Sequence, residues 1–137
     1  MKNSRVTNDA GGEKMKLAIC AKGEGLKAEV DQRFGRCPFF VVVDTEKKEL
    51  VESLSNRNAE AAGGAGPQAA QLLAGRDIEA VILGNVGPNA IEALKAARVK
   101  VYSGVTGTVE DTLEKFLEGS LKLVAEATVS SHSGMRK

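Results

Sequence analysis

Two related stretches decide the fold of this chain: GGAGPQAAQLL at residues 63–73 and GNVGPNAIEAL at residues 84–94. In each, a glycine-rich turn precedes a proline and a run of helix-forming residues, which is typical of the start of an α-helix. The first turn of a helix carries backbone N–H groups without partners inside the helix, and these groups attract anions. Each stretch alone is also compatible with an ordinary helix start. Together they predict an edge where an anion can bind.

Short apolar runs alternate with these helices. The run FFVVVDT at 39–45 is continuously apolar and rich in β-branched residues, which favours a strand buried on both faces. A charged turn then leads into ELVESL, so the two segments are predicted to form a hairpin. The full pattern predicts strands at 15–21, 39–45, 49–54, 80–84 and 99–103, and helices at 67–74, 88–97 and 109–118.

This order of elements predicts a mixed five-stranded α/β sheet with the strand order 3-2-1-4-5 and strand 2 antiparallel to the rest. The reason is that right-handed crossovers from strand 3 to 4 and from 4 to 5 bury the apolar helix faces against the sheet. Residues 1–14 have no hydrophobic periodicity and are expected to be a flexible extension. The domain is expected at 15–120, with a mobile tail at 121–137, although Leu121, Leu123 and Val124 are also compatible with a short strand.

Composition and charge limit the number of domains and the classes of partner that we expect. The chain has 137 residues, of which 42% are hydrophobic, and this size fits one domain with one core. The net charge is +1 and the basic residues form no stripe, so we expect neither nucleic acid nor a membrane as partner. The sequence shows no leader peptide or long apolar run, which predicts a cytoplasmic protein. Cys20 and Cys37 are then expected to be free thiols.

The predicted topology brings several loops to one end of the sheet. The segments that follow strands 1, 3 and 4 emerge there, beside the entry to strand 2, DQRFGRCP at residues 31–38. We therefore expect Cys20 and Cys37 to lie on the order of 10 Å apart, given the spacing of adjacent strands. The candidate ligand-binding residues at this edge are Arg33, Arg36, Cys37, Gly64, Gly66, Gly84 and Gly87.

The cysteines and the single histidine are the candidate metal ligands. Cys37 is the main one, because neighbouring arginines and helix N-termini favour its thiolate, and we expect its thiol to be exposed on a loop. Cys20 and His132 are secondary candidates: Cys20 is also compatible with a small buried residue of the core, and His132 with a tail residue. Two cysteines and one histidine do not complete a tetrahedral zinc site. No catalytic triad, GxSxG motif or phosphate-binding loop is present, so we expect a protein that is not an enzyme.

Residues 15 to about 118 resemble the dinitrogenase iron-molybdenum cofactor biosynthesis family, in its stand-alone, single-domain type. The resemblance rests on DQRFGRCPFFVVVD at 31–44, on the stretch at 63–73 and on GNVGPNAIEALKAARVKVY at 84–102. It implies a ribonuclease H-like α/β fold without the nuclease carboxylates. It also implies binding of an iron-sulfur or iron-molybdenum-type metallocofactor, or of its precursor, as cargo.

The predicted function is therefore that of a binding or carrier protein for an anionic metal-sulfur cluster, whose partners are cofactor donor and acceptor proteins. Arg33 and Arg36 would neutralise the charge of the cluster, and backbone amides near the glycines would hydrogen-bond to its sulfides. Two alternative functions are also compatible with the sequence. One is a nucleotide- or phosphate-binding regulatory module that uses the same amides, and the other is a protein-interaction domain without metal. The sequence leaves the oligomeric state open.

Overall fold

The computed structural model describes residues 15–56 and 65–124, which form three layers with a mixed sheet between helices. The strands are β1 (Lys16–Ala21), β2 (Phe39–Asp44), β3 (Glu49–Ser55), β4 (Ala80–Leu83), β5 (Lys100–Ser103) and β6 (Lys122–Leu123). The helices are α1 (Ala65–Ala74), α2 (Pro88–Ala96) and α3 (Val109–Leu117). No helix in these two ranges is long and apolar enough to cross a lipid bilayer.

The order of the first five strands is the predicted one. The sheet runs β3-β2-β1-β4-β5-β6, with β2 antiparallel to β1, and with β4 parallel to both β1 and β5. The predicted strand count was wrong, because β6 adds a sixth strand that pairs antiparallel with β5. The hairpin of β2 and β3 is confirmed, and it carries an irregularity between Val42 and Val43.

Residues beside the sixth strand also pack against the core. A mobile tail was expected from residue 121, but Leu121 and Val124 pack against the core on either side of β6. The short strand was one of the two alternatives that the sequence allowed. The expected N-terminal extension at 1–14 and the rest of the expected tail lie outside the described residues.

The apolar side chains separate into two clusters, one on each face of the sheet. One face is covered by α1 and α2, whose Leu73 and Leu94 are fully buried against residues such as Phe40. The other face is covered by α3, with Val109 and Leu113 packed on the sheet. Because both faces are covered, β1 and β2 are buried along nearly their whole length, as their uninterrupted apolar sequences predict.

The helix ends follow the sequence signals closely. Helix α2 begins with Gly87 as N-cap and Pro88 in its first turn. Helix α3 begins with a capping box, in which the Thr108 side chain accepts from the Asp111 N–H and the Asp111 side chain accepts from the Thr108 N–H. Helix α1 differs slightly, because it begins at Ala65 and therefore includes Gly66 and Pro67 in its first turn.

The first turns of α1 and α2 touch at a position where only glycine fits. A Cβ atom at Gly66 would lie 2.8 Å from the Cβ of Ala90, so Gly66→Ala is expected to push the two helices apart. We expect a loss of about 1–3 kcal/mol in the free energy of unfolding, measured by urea denaturation. Gly75→Ala is the matched control, because there the nearest atom to the new Cβ is the Gln71 carbonyl oxygen at 3.5 Å. Equal stability of the two variants would contradict the close helix contact.

Candidate functional site

The loop between β1 and β2 docks directly on the turn between β4 and α2. The Asn85 N–H donates to the Gln32 carbonyl at 2.6 Å, and the Phe34 N–H donates to the Asn85 carbonyl at 3.2 Å. The backbones approach so closely that a Cβ atom at Gly84 would lie 2.8 Å from both the Cα and the carbonyl oxygen of Gln32. Gly84 is therefore required for packing, and this contact joins the two segments predicted to form the site.

The N-termini of α1 and α2 lie side by side next to this contact. They meet at Gly66 and Ala90, each in the first turn of its helix. In the described part of the chain, α2 has no side-chain cap at Gly87. The amides of its first turn therefore have no capping side chain as hydrogen-bond acceptor. The 31–37 loop, which carries Arg33, Arg36 and Cys37, is bonded to the turn that contains Gly84 and Gly87, and Gly66 touches the first turn of α2 at Ala90. Gly64 and His132 lie outside the described residues.

Arg33 is bound to a buried carboxylate in its own loop. Its side chain donates two hydrogen bonds to Asp31, from Nε at 3.0 Å and from Nη2 at 2.9 Å, and its backbone N–H donates a third to Asp31. The Asp31 side chain is only 2% exposed, whereas that of Arg33 is 61% exposed. These bonds are the main reason that the pKa of Asp31 is lowered and that of Arg33 is raised. The charge of Arg33 is therefore already balanced by Asp31.

Arg36 is the other arginine of this loop, and it is exposed at the protein surface. The backbone around it is fixed by Asn56, a buried residue that follows β3. The Asn56 side-chain amide donates to the carbonyl of Gly35 at 3.0 Å and to that of Cys37 at 2.9 Å. The loop that carries Arg36 is thus held at both ends, by β4–α2 on one side and by Asn56 on the other.

The expected exposure of Cys37 was wrong. Both cysteines are free thiols with no solvent exposure, and both belong to the apolar cluster under α1 and α2. Their predicted proximity agrees with the structure, because both lie in one buried cluster and Asp31, whose N–H donates to the Cys20 carbonyl, is bonded to Arg33, whose carbonyl accepts from the Cys37 N–H. Burial, followed by the influence of Cys37 and of the Asp31 charge, raises the pKa of Cys20 well above its ordinary value of 9.0. Cys37 is buried because the chain bends back after Gly35, whose φ is 92°.

The described residues contain no group of three or more His, Cys, Asp or Glu side chains placed to hold a metal ion. Two residues that shape the candidate site, Asp31 and Asn56, were not among the predicted site residues. Asp31 had a detectable signal, because an aspartate commonly accepts from the backbone two residues later, as it does here at Arg33. Asn56 had none, since its two acceptors lie far away in the sequence.

The Asp31–Arg33 pair predicts a specific dependence of stability on pH. Because the pKa of Asp31 is lowered on folding, its stabilising effect is complete above the unfolded value near 3.8 and is lost as the pH falls through the lower folded value. Asp31→Asn is expected to cost about 1.5–3 kcal/mol at neutral pH, and this difference should shrink below about pH 4. Urea denaturation at several pH values measures it.

Arg33→Gln provides the control, since it removes the partner of the carboxylate. In the Arg33→Gln background, the further change Asp31→Asn should have much less effect on stability across the whole pH range. Parallel stability curves for the parent chain and Asp31→Asn in acid would contradict the role given to this pair.

Comparison with known proteins places these features in a family. Residues 15–119 match the model of the dinitrogenase iron-molybdenum cofactor family. The chain is 33% identical over 110 residues to an uncharacterised protein of Methanocaldococcus jannaschii, a match that covers 79% of this chain and 90% of the relative.

Two solved structures are similar to this chain over most of its length. The apo form of the orange protein of Desulfovibrio gigas has a TM-score of 0.79 and 36% identity, covering 85% of this chain and 98% of its own. A NifB-like protein of Thermotoga has a TM-score of 0.72 and 38% identity, covering 83% and 97%. On these matches in sequence and in structure, the chain belongs to the dinitrogenase iron-molybdenum cofactor family.

Proposed function

We propose that this protein binds and carries an anionic metal-sulfur cluster, of the iron-sulfur or iron-molybdenum type, at the edge where the 31–37 loop meets the β4–α2 turn. The observation that carries the proposal is that the arginine-bearing loop docks on the turn leading into α2, whose first turn in turn contacts the first turn of α1. Helix N-termini offer N–H donors and partial positive charge, and sulfide-rich clusters carry negative charge and accept hydrogen bonds.

Family membership supports the same chemistry. The family is named for the iron-molybdenum cofactor, which connects its members with the metabolism of a metal-sulfur group. The similar orange protein was solved in an apo form, a term used for proteins that also exist with a bound group. We infer that the partners of this chain are proteins that donate the cluster and proteins that accept it, and that its role is binding rather than catalysis.

Each part of the site has a separate role in binding the cluster. Arg36, which is exposed, supplies positive charge to the cluster, whereas Arg33 is held by Asp31 and mainly shapes the loop. The backbone amides at the start of α2 donate to sulfide. Cys37 is the sulfur ligand, and because its thiol is buried, coordination requires the 31–38 segment to move away from the core.

Arg36→Gln should weaken cluster retention by about tenfold, because a charged hydrogen-bond donor to an anion is lost. The measurement is iron and sulfide content, with visible absorption, after the chain is loaded with iron and sulfide without oxygen and then desalted. Arg98→Gln is the matched control, since Arg98 follows α2 at its other end, about 14 Å along the helix. Equal losses in both variants would contradict a localised site, and unchanged retention in Arg36→Gln would remove this arginine from it.

Cys37→Ala and Cys20→Ala form a second matched pair. Both remove one sulfur from the same buried cluster, so each should lower the free energy of unfolding by about 1 kcal/mol. Only Cys37→Ala should lose the loaded cluster. If Cys37→Ala retains as much iron and sulfide as the parent chain, Cys37 is not a ligand, and a phosphate- or nucleotide-binding site that uses the same amides becomes the better explanation.

A further inference from the structure

The Cys20 and Cys37 side chains form a pair that the proposed function does not explain. They are the two cysteines of the chain, both thiols are fully buried, and they share one apolar cluster. A short series of hydrogen bonds joins their segments: the Asp31 N–H donates to the Cys20 carbonyl, the Arg33 N–H donates to the Asp31 side chain, and the Cys37 N–H donates to the Arg33 carbonyl. Cys37 is also the side chain with the largest effect on the pKa of the Cys20 thiol, as expected of neighbouring groups.

The backbone on both sides of this pair is held in place. The carbonyl of Cys20 accepts from the Asp31 N–H at 2.9 Å, and the carbonyl of Cys37 accepts from the Asn56 side chain at 2.9 Å. Cys20 lies in β1, opposite Phe40 of the neighbouring strand β2, and Cys37 precedes β2 by two residues. The fold therefore keeps the two sulfur atoms together even though they come from different segments.

The two thiols differ in how readily they become accessible to a reagent. Cys20 is fixed in a central strand between β2 and β4. Cys37 lies outside the strands, in the segment between β1 and β2, whose anchors around Cys37 are individual hydrogen bonds with Asn85 and Asn56 rather than a ladder between strands. Opening of this segment exposes Cys37 without breaking the sheet, so Cys37 is the thiol that reacts first.

We propose that Cys20 and Cys37 are a redox pair, which the structure shows reduced and which closes to a single intramolecular disulfide when the chain meets a small-molecule disulfide. The Cys37 thiolate, after losing its proton to solvent, attacks one sulfur of the oxidant, forms a mixed disulfide and releases one thiolate. Cys20 then loses its proton and attacks the Cys37 sulfur, which releases the second thiolate. The two protein thiols lose two electrons and two protons, and the oxidant becomes two thiol molecules.

The proposal does not depend on cluster binding, but it has a consequence for it. A Cys20–Cys37 bond would tie the 31–38 segment to β1, and it would remove the sulfur that the proposed function gives to the cluster. The oxidised chain would then be unable to take up cargo through Cys37.

The experiment uses the full chain without cluster, equilibrated with mixtures of reduced and oxidised glutathione, quenched with iodoacetamide and weighed by mass spectrometry. We expect a species lighter by two hydrogen atoms, without added alkyl groups, and one linked peptide containing both cysteines. The equilibrium constant for its formation should be at least about tenfold larger in native buffer than in denaturing urea, because folding holds the thiols together.

Single variants test the order of reaction. Cys20→Ala should accumulate a mixed disulfide of Cys37 with glutathione, and Cys37→Ala should react more slowly at Cys20. Equal equilibrium constants in buffer and urea, or glutathione adducts and linked dimers in place of the internal bond, would overturn the proposal. Because the parent chain is compared with itself, this result holds even if a variant fails to fold. Iron and sulfide loading of the reduced chain tests the proposed function separately.

Discussion

The backbone contact between Gly84 and Gln32 is the constraint on which the candidate site depends. At this point the end of β4 and the loop before β2 are closer than any residue with a Cβ atom would permit. Two hydrogen bonds through Asn85 then fix the loop in register with the turn that starts α2. This contact joins the loop that carries the arginines and Cys37 to the turn that leads into α2. The bonds from Asn56 hold the other end of the loop.

The sheet supplies the rigidity that this contact needs. Strands β1, β2 and β4 are covered on both faces, by α1 and α2 on one side and by α3 on the other. Loops at the end of such a sheet are positioned by elements that have little freedom to move, which suits a site built mainly from backbone amides. The same close packing explains why Cys37, which comes from a loop, reaches the core instead of the surface.

The charges in the loop have separate roles. Asp31 is buried and its hydrogen bonds to Arg33 compensate for the cost of burying a carboxylate, so this pair determines the shape of the loop. Arg36 is exposed at the surface of the same loop. Two arginines that look equivalent in the sequence therefore differ: both side chains reach the surface, but Arg33 is bound to the buried Asp31. Only the surroundings of each side chain distinguish them.

The sequence by itself determined the elements, their order and the meeting of the loops at one edge. These features follow from local signals, such as the apolar run of β2, the Gly87-Pro88 helix start and the Thr108 capping box, together with the handedness of crossovers. Tertiary structure alone decided the burial of Cys37, the anchoring of its loop by Asn56 and the addition of β6 to the sheet. Each of these depends on atoms that are distant in the chain and become neighbours only when the layers pack, and no local pattern of residues encodes such a contact.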